Sequence, residues 1–378
     1  PSYIDATPPT TPVVTDDGLY TVNATQLHAV WTSSDPESGI AEYQYAIGTT
    51  VGGTNVVGWT STGTTASVTK TGLALASGTT YYFTVKAKNG AGTWGTAGNS
   101  DGITVDTSAP TAPAVVTDNG QFTSSTTQLH ASWTASSDLE SGILRYEYAI
   151  GTTAGGTNVV GWTANGTNLS VTKTGLTLTN GTTYYFTVRA VNNAGLTGTA
   201  GNSDGITVDI SVPAAPVVTD DGTYTINATQ LHATWSTQSG IAEYQYAIGT
   251  TSGGTNVVGW TSTGTTAYVT KTGLALTSGT TYYFTVKAKN GAGTWGAAGN
   301  SDGIKVDTSA PTTPVVTDDG ATTTNFTQLH ATWTSSDPES GIAEYQYAIG
   351  TTSGGTNVVT WTLTGTTASV TKTGLALT

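Results

Sequence analysis

Apolar and polar residues alternate at every second position in short runs separated by Gly, Thr, Asn and Pro. A period of two predicts half-buried β-strands rather than helices. In Leu27-His28-Ala29-Val30-Trp31 the residues Leu27, Ala29 and Trp31 share one face, and Tyr43-Gln44-Tyr45-Ala46-Ile47 alternates likewise. The run from Tyr81 to Lys88 places Tyr81, Phe83, Val85 and Ala87 inward and Lys86 and Lys88 in solvent, and Gly102-Ile103-Thr104-Val105 supplies a short last strand.

The pattern repeats. Gly78-Thr79-Thr80-Tyr81-Tyr82-Phe83-Thr84-Val85 recurs letter for letter at Gly181 to Val188 and at Gly279 to Val286. Trp31, Trp133, Trp235 and Trp333 stand about 100 residues apart, the size of one whole sandwich domain rather than a solenoid turn. Short Pro-containing stretches mark the joins: Asp5 to Pro9, Asp106 to Pro110, Asp209 to Pro213 and Asp307 to Pro311. The expected organisation is residues 1–7 as the end of a preceding domain and its linker, 8–107, 108–210 and 211–308 as whole domains, and 309–378 as a fourth lacking its last two strands. Ser2 to Asp5 takes the place of a last strand from the preceding unit. A window cut from a longer array and completion by strands of another copy both fit this pattern.

Trp31, Tyr43 and the corner Leu75-Ala76-Ser77-Gly78-Thr79-Thr80-Tyr81 resemble the fibronectin type III family, and the likeness recurs in the second and third segments. The resemblance implies an all-β chain of tandem seven-stranded immunoglobulin-like β-sandwiches, antiparallel and in two sheets, and implies nothing about chemistry. No Arg-Gly-Asp tripeptide occurs, and the near-identity of the segments looks more like bacterial or archaeal surface proteins.

Composition narrows the function classes. The net charge of −13 with only 11 Lys+Arg removes the electrostatic basis for nucleic-acid binding. No apolar run is long enough for a membrane span, and the absence of Cys excludes disulfides and thiolate metal sites. No Gly-x-Ser-x-Gly elbow or similar catalytic signature occurs, so these residues read as non-enzymatic. His28, His130, His232 and His330 share one repeat position on the solvent side of a strand, each alone in its domain, and read as exposed strand residues.

No cofactor is expected, the acidic residues reading as solvated turns, and calcium is the one ion they would allow. Stacking the domains would bring Asp16, Asp17, Asp106, Asp138 and Glu140 towards one joint, and Asp220, Asp221, Asp307, Asp337 and Glu339 towards another. The intervening joint differs, with Asn119 replacing an Asp and a shortened loop Thr237-Gln238-Ser239-Gly240. Trp94 and Trp295 sit in a long loop where an indole could stack on a sugar ring, whereas the second segment has Leu196 there. Trp59, Trp162, Trp260 and Trp361 read as covering residues beside the core. Asn23, Asn165, Asn168, Asn180, Asn227 and Asn325 begin Asn-x-Ser/Thr glycosylation triplets.

The expected role is that of an extracellular, prokaryotic structural repeat protein: a stalk, sheath or filament whose partners are neighbouring copies of itself. The alternatives are an adhesin or glycan-binding module, contacting glycans or other surface proteins, or a spacer in a secreted polysaccharide-degrading enzyme.

Overall fold

A computed structural model describes residues 4–378. Ser2 and Tyr3, read above as part of a preceding strand, lie outside the described residues, and Ile4 and Asp5 belong to no strand. The described residues form strands and turns and contain no helix.

In the first segment the strands are β1 (Val13–Asp16), β2 (Tyr20–Thr21), β3 (Gln26–Thr32), β4 (Ile40–Gly48), β5 (Val57–Gly63), β6 (Ser67–Thr71), β7 (Thr80–Asn89), β8 (Gly98–Asn99) and β9 (Ile103–Val105). One sheet has the order β1-β3-β6, and the other has the order β2-β9-β7-β4-β5 with β8 paired to β7. This is a two-layer sandwich of three and six strands, of fibronectin type III-like topology.

The first strand is broken by a turn. Gly18 sits at φ +103°, a conformation that only glycine adopts without strain, and the chain changes sheets there. Before it, Val14 pairs antiparallel with Trp31. After it, Tyr20 runs parallel to Thr104 of β9. The resemblance implied antiparallel strands throughout; this crossing creates the parallel exception.

Alternation buries one face of each strand. Leu27, Ala29, Trp31, Tyr43, Tyr45, Ile47, Tyr81, Phe83, Val85, Ala87, Ile103 and Val105 close one core drawn entirely from their own segment. Trp31 meets Tyr43 edge-on with centroids 6.0 Å apart, and Tyr45 packs on Phe83 at 6.2 Å. Each fully buried aromatic or aliphatic side chain contributes roughly 1.5–3 kcal/mol. The Tyr81 hydroxyl accepts the Ala76 backbone N–H at 2.8 Å and ties the approach to β7 onto the core.

The Gly-rich stretch after β4 is a packed turn. A Cβ on Gly48 would lie 2.4 Å from the Gly53 carbonyl carbon, so both glycines are needed for the backbones to meet. Asn55 fastens the turn, accepting the Thr49 N–H and donating to its hydroxyl, both at 3.1 Å.

The chain divides into two compact units, 1–210 and 211–378. The first unit contains a second sandwich of the same order, whose core runs from Val116 to Val208. The second unit contains a third, with its core from Val218 to Val306. There follow a three-stranded sheet (Val315–Asp318, Gln328–Thr334, Ser369–Thr373) and the pair Tyr345–Ile349 and Val359–Gly365. Among the described residues no further strand follows to cover them, and Val316 is 63% exposed where its equivalent Val14 is 8% exposed.

Candidate functional site

Three groups of acidic residues converge, each where a segment begins. In the first unit Asp106, Asp138 and Glu140 bring carboxylate oxygens within 4.8 Å of one another. Asp106, which follows β9, is fully buried, and its carboxylate accepts the Ser108 N–H at 3.0 Å, the Ser141 hydroxyl at 2.5 Å and the Asn192 Nδ2 at 2.8 Å. Asp138 accepts the Ser141 and Gly142 N–H groups at 2.9 and 3.1 Å and the Asn192 amide at 3.1 Å. Glu140 accepts the Ser108 hydroxyl at 3.2 Å. Burial pushes the Asp138 carboxyl up, but the hydrogen bonds outweigh it and the net shift is downward.

Asp307, Asp337 and Glu339 form the equivalent set in the second unit. There the Ser340 N–H is the main cause holding the Asp337 carboxyl below its ordinary range. Asp5, Asp35 and Glu37 form a third set, and Asn89 donates to Asp5, the Thr7 carbonyl and Asp35 at 2.7, 3.0 and 3.2 Å. All three sets are positioned to coordinate a divalent cation such as Ca²⁺, a hard ion that takes carboxylate and carbonyl oxygens.

The remaining acids of the expected sets are engaged elsewhere. Asp16 accepts the Gly18 N–H at 3.3 Å, and Asp220 accepts those of Gly222 and Gly303 at 3.4 and 3.2 Å. Asp17 and Asp221 meet His28 and His232, each at 2.8 Å. Three of the histidines therefore have an acidic neighbour, His330 meeting Asp319 at 2.8 Å, whereas His130 meets the amide of Asn119 at 3.1 Å. Among the described residues, no serine hydroxyl hydrogen-bonds to any of these imidazoles.

The outer face of the larger sheet carries the indoles. Lys86 on β7 lies 4.3 Å from the Trp59 ring centroid and 4.5 Å from that of Trp94, so one ammonium is held between two rings. Lys287 repeats this between Trp260 and Trp295 at 4.2 and 4.5 Å. In the second segment Arg189 stacks on Trp162 at 3.9 Å and pairs with Glu147, which also holds Arg145. Trp59 is 40% exposed and Trp361 64%, so this repeat position faces outward instead of covering the core. Its phase is set by a bulge between the pairs Tyr45/Thr60 and Ile47/Val57.

The six glycosylation triplets adopt different geometries. Asn23, Asn227 and Asn325 each accept both the N–H and the hydroxyl of the following Thr. Asn165 and Asn168 are tied into one turn through their side-chain amides, and Asn180 accepts the Ile210 N–H at 3.0 Å.

No protein-family model matches the chain. The chain is 31% identical over 329 residues to exoglucanase B of Cellulomonas fimi, covering 82% of this chain and 26% of that protein. It is 34% identical over 225 residues to chitinase A1 of Niallia circulans, covering 58% and 28%, and 36% identical over 312 residues to exoglucanase A of C. fimi, covering 78% and 32%. The chain thus spans between about a quarter and a third of the length of these relatives. Superposition on the FN1–FN3 domains of chicken CNTN1 gives a TM-score of 0.33 at 18% identity, covering 79% of this chain and 97% of that one. Domains A168–A170 of titin give 0.35 at 14%, covering 78% and 99%. No helix among the described residues is long and apolar enough to cross a membrane.

Proposed function

We propose that this chain is a non-catalytic accessory array of a secreted bacterial polysaccharide-degrading enzyme, a spacer beside a catalytic domain that cleaves a β-linked glycan. The observation that carries this reading is the alignment of most of the chain with only a quarter to a third of proteins named as exoglucanases and a chitinase. A shared portion that accompanies both cellulose-type and chitin-type names supports a role common to them rather than either chemistry. The free-standing stalk, sheath or filament, expected above as the leading role, receives less support than the spacer. Incubating the purified chain with cellulose and with chitin tests the proposal: no new reducing ends should form, and hydrolysis of either polymer would refute it.

A second reading adds a binding task. The paired indoles of Trp59 with Trp94 and of Trp260 with Trp295 offer flat apolar surfaces beside lysine, glutamate and glutamine, the combination that stacks on and hydrogen-bonds to a sugar ring. Retention of the chain on insoluble cellulose or chitin, lost on replacing Trp59 and Trp260 by Ala, would support it. No retention on either polymer would remove this task and leave the spacer.

A further inference from the structure

The chain contains five Asn-Gly pairs, at Asn89, Asn119, Asn165, Asn180 and Asn290. This dipeptide is the least hindered for attack of a backbone nitrogen on the preceding side-chain amide, because glycine has no Cβ to obstruct the approach. Four of the five are held away from that reaction. Asn89 and Asn290 are buried with both ends of the amide hydrogen-bonded. Asn165 has its Nδ2 donated to the Asn168 and Ser170 carbonyls. At Asn180 the attacking nitrogen is occupied, since the Gly181 N–H donates to the Val208 carbonyl at 2.8 Å.

Asn119 combines the features that favour the reaction. It is exposed, in the turn between Val116–Asp118 and Phe122–Thr123. The Gly120 N–H points at the Asp118 carboxylate at 3.2 Å, a proton acceptor beside the nucleophile. The His130 Nδ1–H donates to the Asn119 Oδ1 at 3.1 Å, which polarises the carbonyl to be attacked. Among the described residues the Nδ2 that must leave has no hydrogen-bond partner, and Gly120, at φ +93°, has nothing within 4 Å of where a Cβ would stand. A cavity of about 50 Å³ lined by Asn119, Thr123, Ser125, Gln128 and His130 adjoins the amide and has room for water.

The geometry points to Asn119 as a site of self-deamidation that converts it to the acid present in the other three copies. Gly120 N bonds to Asn119 Cγ and gives up its proton by way of Asp118. The Cγ–Nδ2 bond breaks, and the nitrogen departs as ammonia carrying that proton, leaving a five-membered succinimide. Water then opens the ring. Attack at Cγ yields aspartate with the backbone intact, and attack at the main-chain carbonyl carbon yields isoaspartate, with the chain running through the former side chain. The net change is water consumed and ammonia released, with no oxidation or reduction. Aspartate at 119 places beside His130 the partner that Asp17, Asp221 and Asp319 give His28, His232 and His330 at 2.8 Å. The second segment thus acquires after synthesis the pair that the others encode.

The test is peptide mass mapping of the purified full chain during prolonged incubation in warm, mildly alkaline buffer. Asn119 should convert about tenfold or more faster than any other Asn-Gly asparagine, giving both aspartyl and isoaspartyl peptides. Asp118→Asn should slow it by about tenfold or more, the loss of a positioned proton acceptor. Because Asp118 also holds the Gly205 N–H, His130→Gln on the partly exposed strand face serves as a second variant and should also slow the conversion. In concentrated urea the preference for Asn119 should vanish. Conversion of Asn165 or Asn180 ahead of Asn119, rates unchanged in both variants, or a preference that survives unfolding would each overturn the proposal.

Discussion

Replacing Asn192 by Ala removes the amide that ties the entering chain of the second sandwich to its loops. Asn192 is fully buried, and its Nδ2 faces Asp106 at 2.8 Å, the Ser108 carbonyl at 3.0 Å and Asp138 at 3.1 Å, while its Oδ1 accepts the Leu196 N–H at 2.7 Å. An NH₂ group has two hydrogens for three acceptors, so these bonds do not add in full. One hydrogen bond to a charged group and one to a neutral group give roughly 2–4 kcal/mol, and the buried Asp106 carboxylate loses a donor besides. At about 1.4 kcal/mol per decade, that is a local opening roughly 30 to 1,000 times more populated. Native-state hydrogen exchange read by mass spectrometry should show protection falling by that factor at 106–111, 138–142 and 192–198. Protection at the core residues Phe186 and Val188 should fall far less. A change under about threefold, or one spread evenly through the sandwich, would refute the reasoning.

Three further outcomes follow. Excess Ca²⁺ should raise the melting temperature and a chelator should lower it, since a cation at a hundred times its Kd adds about 2.7 kcal/mol per site; identical melting would remove calcium from the account. Lys289, Gln245 and Ser262 hold the Glu243 carboxyl down from its ordinary 4.5 to about 2. Its folded value lies below its unfolded one, so its stabilisation is present above pH 4.5 and lost as pH falls through about 2; melting that stays flat from pH 5 to 2 would contradict this. Tyr81→Phe strips the acceptor from the Ala76 N–H and should cost the first segment about 1–3 kcal/mol in urea unfolding, and an unchanged transition would show that the corner contributes nothing.

Much of the fold was legible because alternation is local. The runs around Trp31, Tyr45 and Phe83 needed only a period of two, and near-identical repeats gave each reading several chances to show. What escaped was set by contacts far apart in sequence or by a single shift of phase. The amide clamp joins Asn192 to Asp138 and Asp106, 54 and 86 residues away, and no local pattern marks it. Asp17 and His28 meet only because the turn after β1 folds beside β3. The outward turn of Trp59 depends on a bulge that alternation alone does not register. Domain order groups Asp106, Asp138 and Glu140, but it also puts Asp16 and Asp17 on an end loop, whereas the strand resumes past Gly18 beside β9 and Asp17 meets His28.

The most direct test of the spacer account is the composition of the native polypeptide. Sequencing peptides across the intact secreted protein that contains this chain should find a glycoside-hydrolase catalytic domain in the same polypeptide. A polypeptide built only of further sandwich repeats and a surface anchor would contradict the account and restore the stalk.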